Sequence, residues 1–377
     1  MRVPDDMSVV GYDNLALADL YRQLGLNPDA ISQYEVVAGA FLLAVFAWGI
    51  GFYAPSVLVF TLHTDRGLPL TVLAMMDPPV TDAAQRTQVL PEGGSRRPRY
   101  RAFAGDRRRF STALLRALHL HGGERPRLCL GHVNLAPLGL LSLPPLGRGF
   151  AVVAHGTEVW TPLSLPRRLA LRRARAVACV SDHTARMTQR EQGVDPARTL
   201  RIINALDPWR FPEPTLAPAA APASAPLRLL SVTRLEPTEP KGVDLVLRAL
   251  PRLPEVRYTV IGEGAARPGL EALAQRLGVA ERVRFLGRVS DEARAAALQG
   301  CDVFALPSAG EGFGIVYLEA MTYGKPCLAA AAGGAQEVVL DGQTGVVVAP
   351  QEEAVLAGLQ RLCADAGLRA ALGAAGH

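Results

Sequence analysis

Apolar residues fall into short runs and helical stripes that alternate along the chain, most regularly after residue 226. Leu227–Val232, Arg257–Ile261, Val283–Leu286, Val303–Leu306, Pro326–Ala330 and Gly345–Val348 have the length and composition of strands. Between and after them, Val243–Leu253, Gly269–Leu277, Asp291–Gln299, Ile315–Tyr323 and a last stretch near Glu352–Cys363 place apolar residues at helical spacing. This alternation predicts a doubly wound parallel sheet. The first half repeats the pattern less cleanly, with buried-strand candidates at Leu70–Ala74, Leu128–Leu130, Ala151–Ala154 and Ala176–Val180 separated by helical stretches. In such α/β folds ligands sit beyond the carboxyl ends of the strands, so chemistry is expected in the loops after Val232, Ile261, Leu306 and Ala154.

Two segments interrupt the alternation. Pro212–Pro226 holds five prolines in fifteen residues, which rules out a helix and predicts a Pro/Ala-rich linker. The chain then divides into an atypical N-terminal extension (1–33), a first domain (34–211), the linker (212–226) and a second domain (227–377). Val36–Leu62 runs 27 residues without a charged residue or histidine, longer than the roughly 20 that span a bilayer. Gly39, Gly49, Gly51 and Pro55 inside it read equally well as a buried strand, a turn and a following helix. The acidic, polar start is unlike a cleavable signal peptide.

Composition narrows the class. A chain of 377 residues with 49% hydrophobic and 20% charged residues suits two globular domains and does not resemble a disordered protein. The net charge of +5 does not by itself call for nucleic acid. Five dispersed cysteines form no C-x-x-C pair and no zinc spacing, which points to a reduced, cytosolic setting.

Candidate chemistry collects in the second half. Gly310–Pro326, GEGFGIVYLEAMTYGKP, places Gly312 and Gly314 just before a helix, where backbone N–H groups can face an anion. Glu311 and Glu319 lie eight positions apart, able to reach different parts of one elongated ligand; alone, such a pair reads better as solvated helix chemistry. Ser231–Gly242, SVTRLEPTEPKG, puts Arg234 and Lys241 on one loop, a cationic pair suited to a diphosphate or an exposed surface pair. Lys241 is one of only two lysines among the 40 basic residues. Gly262–Gly264 follows a strand, but Arg267 stands where a dinucleotide loop needs its third glycine, which disfavours a nicotinamide site.

Taken together, SVTRL, KG, VIGEG, VRFLGRVSDEA, ALPS, EGFGIVYLEAMTYGKP, GGAQEVV and DGQTGVVV resemble the family-4 retaining glycosyltransferases of the GT-B fold. HVNLAPL, VVAHGTEVW, VACVSDHTARM and INALDPWRF extend the likeness more thinly into the first half. The resemblance implies an α/β chain with two Rossmann-like doubly wound domains facing a cleft, and sugar transfer from a nucleotide-diphosphate donor. By it, Arg234 and Lys241 hold the donor pyrophosphate and neutralise the leaving group, with no metal and no cofactor beyond the donor itself. Glu319 binds the ribose, and Glu311 with the amides around Gly312, Phe313 and Gly314 holds the donor sugar. Ile315 adds an amide at the phosphate, Gly262 belongs to the donor site, and residues near Arg284–Arg288 choose the base. His155 lines the donor sugar from the opposite domain; a structural histidine is the alternative. With no evident nucleophile, the implied route to retention is front-face attack.

Some features depart from the family. Its opening glycine loop finds its nearest match in Tyr34–Leu62, where Trp48 replaces the first glycine. The same stretch looks like the first membrane helix of major-facilitator transporters, and Arg2–Leu17 is similar to a segment of lactose-repressor-type sugar-binding domains. Relatives continue into a C-terminal helix past the point where this chain stops, Gly376-His377, so exposed apolar surface and loosened closure are expected. Arginines cluster at 96, 97, 99, 101 and 107–109, and at 167, 168, 172, 173 and 175. They fit anionic lipid headgroups or a diphospholipid acceptor, or simply a solvated helix face. The expected partners are therefore a nucleotide-sugar donor, a saccharide or lipid-linked acceptor and an anionic membrane surface, with no nucleic acid. The rivals are a nucleotide-sugar 2-epimerase of the same fold and a non-catalytic, membrane-associated sugar-binding fusion.

Overall fold

The computed structural model describes residues 58–62, 71–74, 99–102, 106–119, 127–143, 149–202, 204, 206 and 226–377. The chain divides into two compact units, Met1–Ala205 and Leu206–His377. The linker expected up to Pro226, the 1–33 extension and residues 36–57 lie outside the described residues, Pro226 itself excepted.

In the first unit the strands are β1 (Leu58–Leu62), β2 (Thr71–Ala74), β3 (Arg99–Ala102), β4 (Arg127–Leu130), β5 (Phe150–Ala154), β6 (Ala176–Cys179) and β7 (Thr199–Arg201). They form one sheet in the order β3-β2-β1-β4-β5-β6-β7. From β4 to β7 every pairing is parallel, but β1 runs antiparallel to both its neighbours. For the β1–β2 pair the cause is connection length: the link between Leu62 and Thr71 is too short for the dozen or more residues a parallel crossover needs. The helices are α1 (Arg107–His119), α2 (Ala136–Gly139), α3 (Leu165–Arg173) and α4 (Asp182–Gln192). β5 and β6 are buried along their whole length because helices cover both faces, and Phe150, Val152 and Val177 pack with Phe110, Leu114 and Leu171.

The second unit follows the expected alternation closely. Its strands are β8 (Leu227–Val232), β9 (Val256–Ile261), β10 (Val283–Gly287), β11 (Val303–Leu306), β12 (Cys327–Ala330) and β13 (Gly345–Val348). All pairings are parallel, in the order β10-β9-β8-β11-β12-β13. Helices α5 (Val243–Ala249), α6 (Arg267–Arg276), α7 (Asp291–Gly300), α8 (Ile315–Met321), α9 (Glu352–Ala364) and α10 (Ala366–Gly376) connect and follow them. The central strands β11 and β12 are buried throughout, whereas edge strand β10 alternates exposed and partly buried residues. Between β8 and β11 the order reverses, which is where an open α/β sheet leaves room for a ligand. Burial pushes the thiols of Cys129, Cys179 and Cys301 up to about 12, so they stay protonated as core residues.

Helix α10 docks by backbone approach: a Cβ on Gly373 would collide with the carbonyl oxygen of Gly324, whereas one on Gly269, in α6, would meet nothing within 4 Å. Gly373→Ala is therefore expected to lower unfolding free energy by about 1–3 kcal/mol. Gly269→Ala should raise it by about 0.4–1 kcal/mol through the unfolded chain. Denaturant titration of both variants checks the pair.

Candidate functional site

The loops that leave β8 and β11 meet at glycine. Gly242 has φ +74°, and a Cβ there would collide with the carbonyl oxygen of Pro307. This close approach lets Lys241 cross from one loop to the other: its Nζ donates to Gly310 O at 3.0 Å and to Glu311 Oε1 at 2.8 Å. Both partners are mostly withdrawn from water, with the side chains of Lys241 and Glu311 only 10% and 14% exposed. Arg234 stands further out, 52% exposed, and its Nη2 donates to Glu239 Oε2 at 2.9 Å. The same Glu239 oxygen lies 3.8 Å from Lys241 Nζ. The structure thus brings Arg234, Lys241 and Glu311 into one network, through a Glu239 that sequence reasoning passed over.

Helix α8 is fastened to the end of β11 by Tyr317. Its ring is fully buried, its hydroxyl donates to Leu306 O at 2.5 Å, and it packs edge-on against Phe304. Gly314, at φ +93°, caps the helix, and a Cβ there would lie 2.6 Å from the Tyr317 ring. Phe313 is buried, while Glu311, Gly312 and Ile315 are partly exposed beside it. Glu319 is 1% exposed and paired with the equally buried Arg294 of α7, whose Nη1 lies 3.4 Å from Glu319 Oε2; Arg294 Nη2 also reaches Asp291 Oδ1 at 3.2 Å. Neither Glu239 nor Arg294 was singled out from sequence. The signal for Arg294 was a charged residue one turn before Leu298, on the buried face of α7.

Beyond β9, Gly262 is buried at φ +143°, and its N–H donates to Gly287 O at 2.9 Å. Arg267 is held by Glu263, by Glu271 at 2.8 Å and by the Phe285 carbonyl at 3.1 Å.

In the first unit His155 follows β5 directly. Its Nε2 bonds Gly131 O at 2.7 Å and so carries the proton, and its backbone N–H donates to Glu158 Oε1 at 2.5 Å. His132 stacks beside it with ring centroids 5.8 Å apart. The His132 Nδ1 accepts from Asn134 N at 3.0 Å, which requires that nitrogen to be unprotonated. Gln192, fully buried, clamps the segment after His155: its Nε2 donates to Val159 O and Thr161 O, both at 2.7 Å, and its Oε1 accepts from Leu163 N at 3.1 Å. The Gln192 carbonyl accepts in turn from Nε of Arg168 and Arg172, so these two arginines are structural braces as well as cations. Of the other clustered arginines, Arg99 and Arg101 belong to β3 and Arg107, Arg108 and Arg109 to the first turn of α1; Arg96 and Arg97 lie outside the described residues.

Residues 216–377 match the family described as Glycosyl transferases group 1, and residues 63–210 match Glycosyltransferase Family 4. A GDP-mannose-dependent alpha-(1-6)-phosphatidylinositol monomannoside mannosyltransferase of Mycolicibacterium smegmatis is 36% identical over 270 residues, which cover 64% of this chain and 68% of the relative. The chain belongs to the family-4, group 1 glycosyltransferases. It is thus a sugar-transferring enzyme of the nucleotide-sugar-dependent kind, with the two Rossmann-like units of the GT-B fold. A D-inositol 3-phosphate glycosyltransferase of Mycobacterium bovis is 38% identical over 197 residues, 49% of this chain, and the match spans only 40% of that relative's length. Among solved structures, the sucrose-phosphate synthase of Thermosynechococcus elongatus superposes with a TM-score of 0.57 at 25% identity, covering 65% of this chain and 66% of the synthase. Anabaena Alr3699/HepE in complex with UDP superposes with a TM-score of 0.61 at 21% identity, covering 74% and 80%, and supports the fold. Among the described residues no helix is long and apolar enough to cross a membrane, and no group of three His, Cys, Asp or Glu is placed to hold a metal ion. Of the apolar run 36–62, Leu58–Leu62 is strand β1; the rest lies outside the described residues.

Burial lowers the pKa of His132 below its ordinary 6.5, helped by His155 and Arg167 and opposed by Glu158. The unfolded chain therefore takes up a proton first, and stability present above pH 6.5 falls as pH drops through that value toward the folded pKa. His132→Asn, which can still accept from Asn134 N, is expected to flatten the loss of unfolding free energy between pH 7.5 and 5; parallel slopes for the two proteins would refute this.

Proposed function

We propose that the chain is a retaining glycosyltransferase that moves a hexose-type sugar from a nucleoside diphosphate to a saccharide or lipid-linked acceptor, in cell-envelope or exopolysaccharide synthesis. The observation that carries the reading is the Lys241 ammonium held between the loops after β8 and β11, with Arg234 on the same loop. Two cations on the loop at the carboxyl end of β8, where the strand order reverses, suit a diphosphate. In this role Arg234 and Lys241 stabilise the charge that develops on the departing diphosphate. By the family resemblance, Glu311 and the amides of Gly312, Phe313 and Gly314 orient the sugar, with Ile315 at the phosphate, Gly262 in the donor site and Glu319, buried against Arg294, assigned to the ribose. The family resemblance assigns His155 to the donor sugar; its ring is held by Gly131 and its backbone by Glu158. Attack from the face the leaving group departs lets a phosphate oxygen take the acceptor's proton, which requires no enzymic nucleophile.

The acceptor reading follows the relatives, whose names specify a phosphatidylinositol mannoside and an inositol phosphate. A peripheral position at the inner face of the membrane fits helix α3, where Leu165 is 78% and Leu169 44% exposed beside Arg172 and Arg173. An anionic bilayer attracts such side chains by about 1 kcal/mol per cation.

Calorimetric titration with GDP and UDP tests the donor site; GDP comes first because the mannosyltransferase relative is named for GDP-mannose. One nucleotide is expected to bind with micromolar affinity, and Lys241→Ala and Glu319→Ala should each weaken it by roughly 10- to 100-fold. Absence of binding by the folded wild-type chain, or undiminished binding by both variants, removes the basis for the assignment.

A further inference from the structure

The loop after β8 carries its own anion. Glu236, Pro237, Thr238 and Glu239 form a turn closed by the Glu239 N–H donating to Glu236 O at 3.1 Å, with proline at its second position. Pro240 follows and restricts the Glu239 backbone to extended conformations. This turn returns the Glu239 carboxylate toward the strand end, where one oxygen lies 2.9 Å from Arg234 Nη2 and 3.8 Å from Lys241 Nζ. A single carboxylate oxygen therefore stands between the two cations.

The two cations do not need it equally. Lys241, 10% exposed, already has Glu311 at 2.8 Å and the Gly310 carbonyl at 3.0 Å. Arg234, 52% exposed, keeps access to water. The Glu239 contact is the weaker-held member of the network, since an exposed pair contributes little to stability. A diphosphate carries more negative charge than this single carboxylate and can accept from the guanidinium through two oxygens, where Glu239 offers Arg234 only one.

We propose that Glu239 is a built-in competitor for the donor diphosphate: its carboxylate, set between Arg234 and Lys241, is displaced when the donor binds and returns to help expel the nucleotide product. The inference rests on the donor-site assignment above. It makes Glu239 a determinant of affinity through Arg234, with no bond made or broken in the exchange.

Calorimetric titration of wild type, Glu239→Gln, Arg234→Ala and the double variant with GDP and UDP distinguishes the possibilities. Glu239→Gln is expected to bind the preferred nucleotide about two- to fivefold more tightly than wild type, because the competing charge is gone. The gain should vanish in the Arg234→Ala background and shrink as salt screens the charges. Unchanged or weaker binding by a folded Glu239→Gln, with wild type binding normally, overturns the competitor role and leaves the donor site standing. If neither wild type nor Glu239→Gln binds either nucleotide, the donor-site assignment falls and takes this inference with it.

Discussion

An ammonium mostly withdrawn from water is costly unless its hydrogen bonds are made, and the loops after β8 and β11 meet that demand for Lys241. The requirement brings two loops together that follow different strands, and it is met only because position 242 lacks a side chain and the chain can turn at φ +74° beneath Pro307. Lys241 then joins the loops at Gly310 and Glu311, 69 and 70 residues away in sequence. The segment Gly310–Gly314 is thereby held from one side by Lys241, while α8 is held from the other by Tyr317 at Leu306. A site made of loops gains the rigidity of the sheet beneath it.

The first unit solves a similar problem with neutral groups. The segment that leaves β5 past His155 has backbone groups that no strand pairs, and Gln192 satisfies three of them with one buried amide. Leaving such groups unpaired costs about 1–3 kcal/mol each, so the position of the His155 segment depends on a side chain from a different helix. His132 adds a constraint of protonation, because its Nδ1 can serve Asn134 only while neutral. Both units thus hold their candidate chemistry by satisfying buried polar groups rather than by apolar packing alone.

Legibility in the sequence followed burial. β11 was readable to the residue because its continuous apolar run, VFAL, ends abruptly at Pro307, and β8, LRLLSV, because its leucines and valine begin directly after the proline-rich stretch that ends at Pro226. The edge strands β3, RYRA, and β7, TLR, lacked that signal, since an edge strand tolerates polar residues and is short. Helix α10, rich in alanine and glycine, has no strong apolar stripe and is placed by the Gly373–Gly324 approach. The antiparallel β1 was hidden for another reason: strand direction depends on what a connection can span, and the apolar pattern is the same either way.

The candidate site divides along the same line. Residue order by itself determined the alternation of strand and helix, the loops that carry Arg234, Lys241, Glu311 and His155, and the family to which their motifs belong. Only the tertiary structure decided which charges meet: Lys241 with Glu311, Arg234 with Glu239, and Glu319 with Arg294. Periodicity reports how a residue faces its own element, whereas an ion pair depends on distance and desolvation between elements far apart in the chain. For that reason Glu239 and Arg294 read as ordinary surface charges until the fold placed one beside a cation and buried the other.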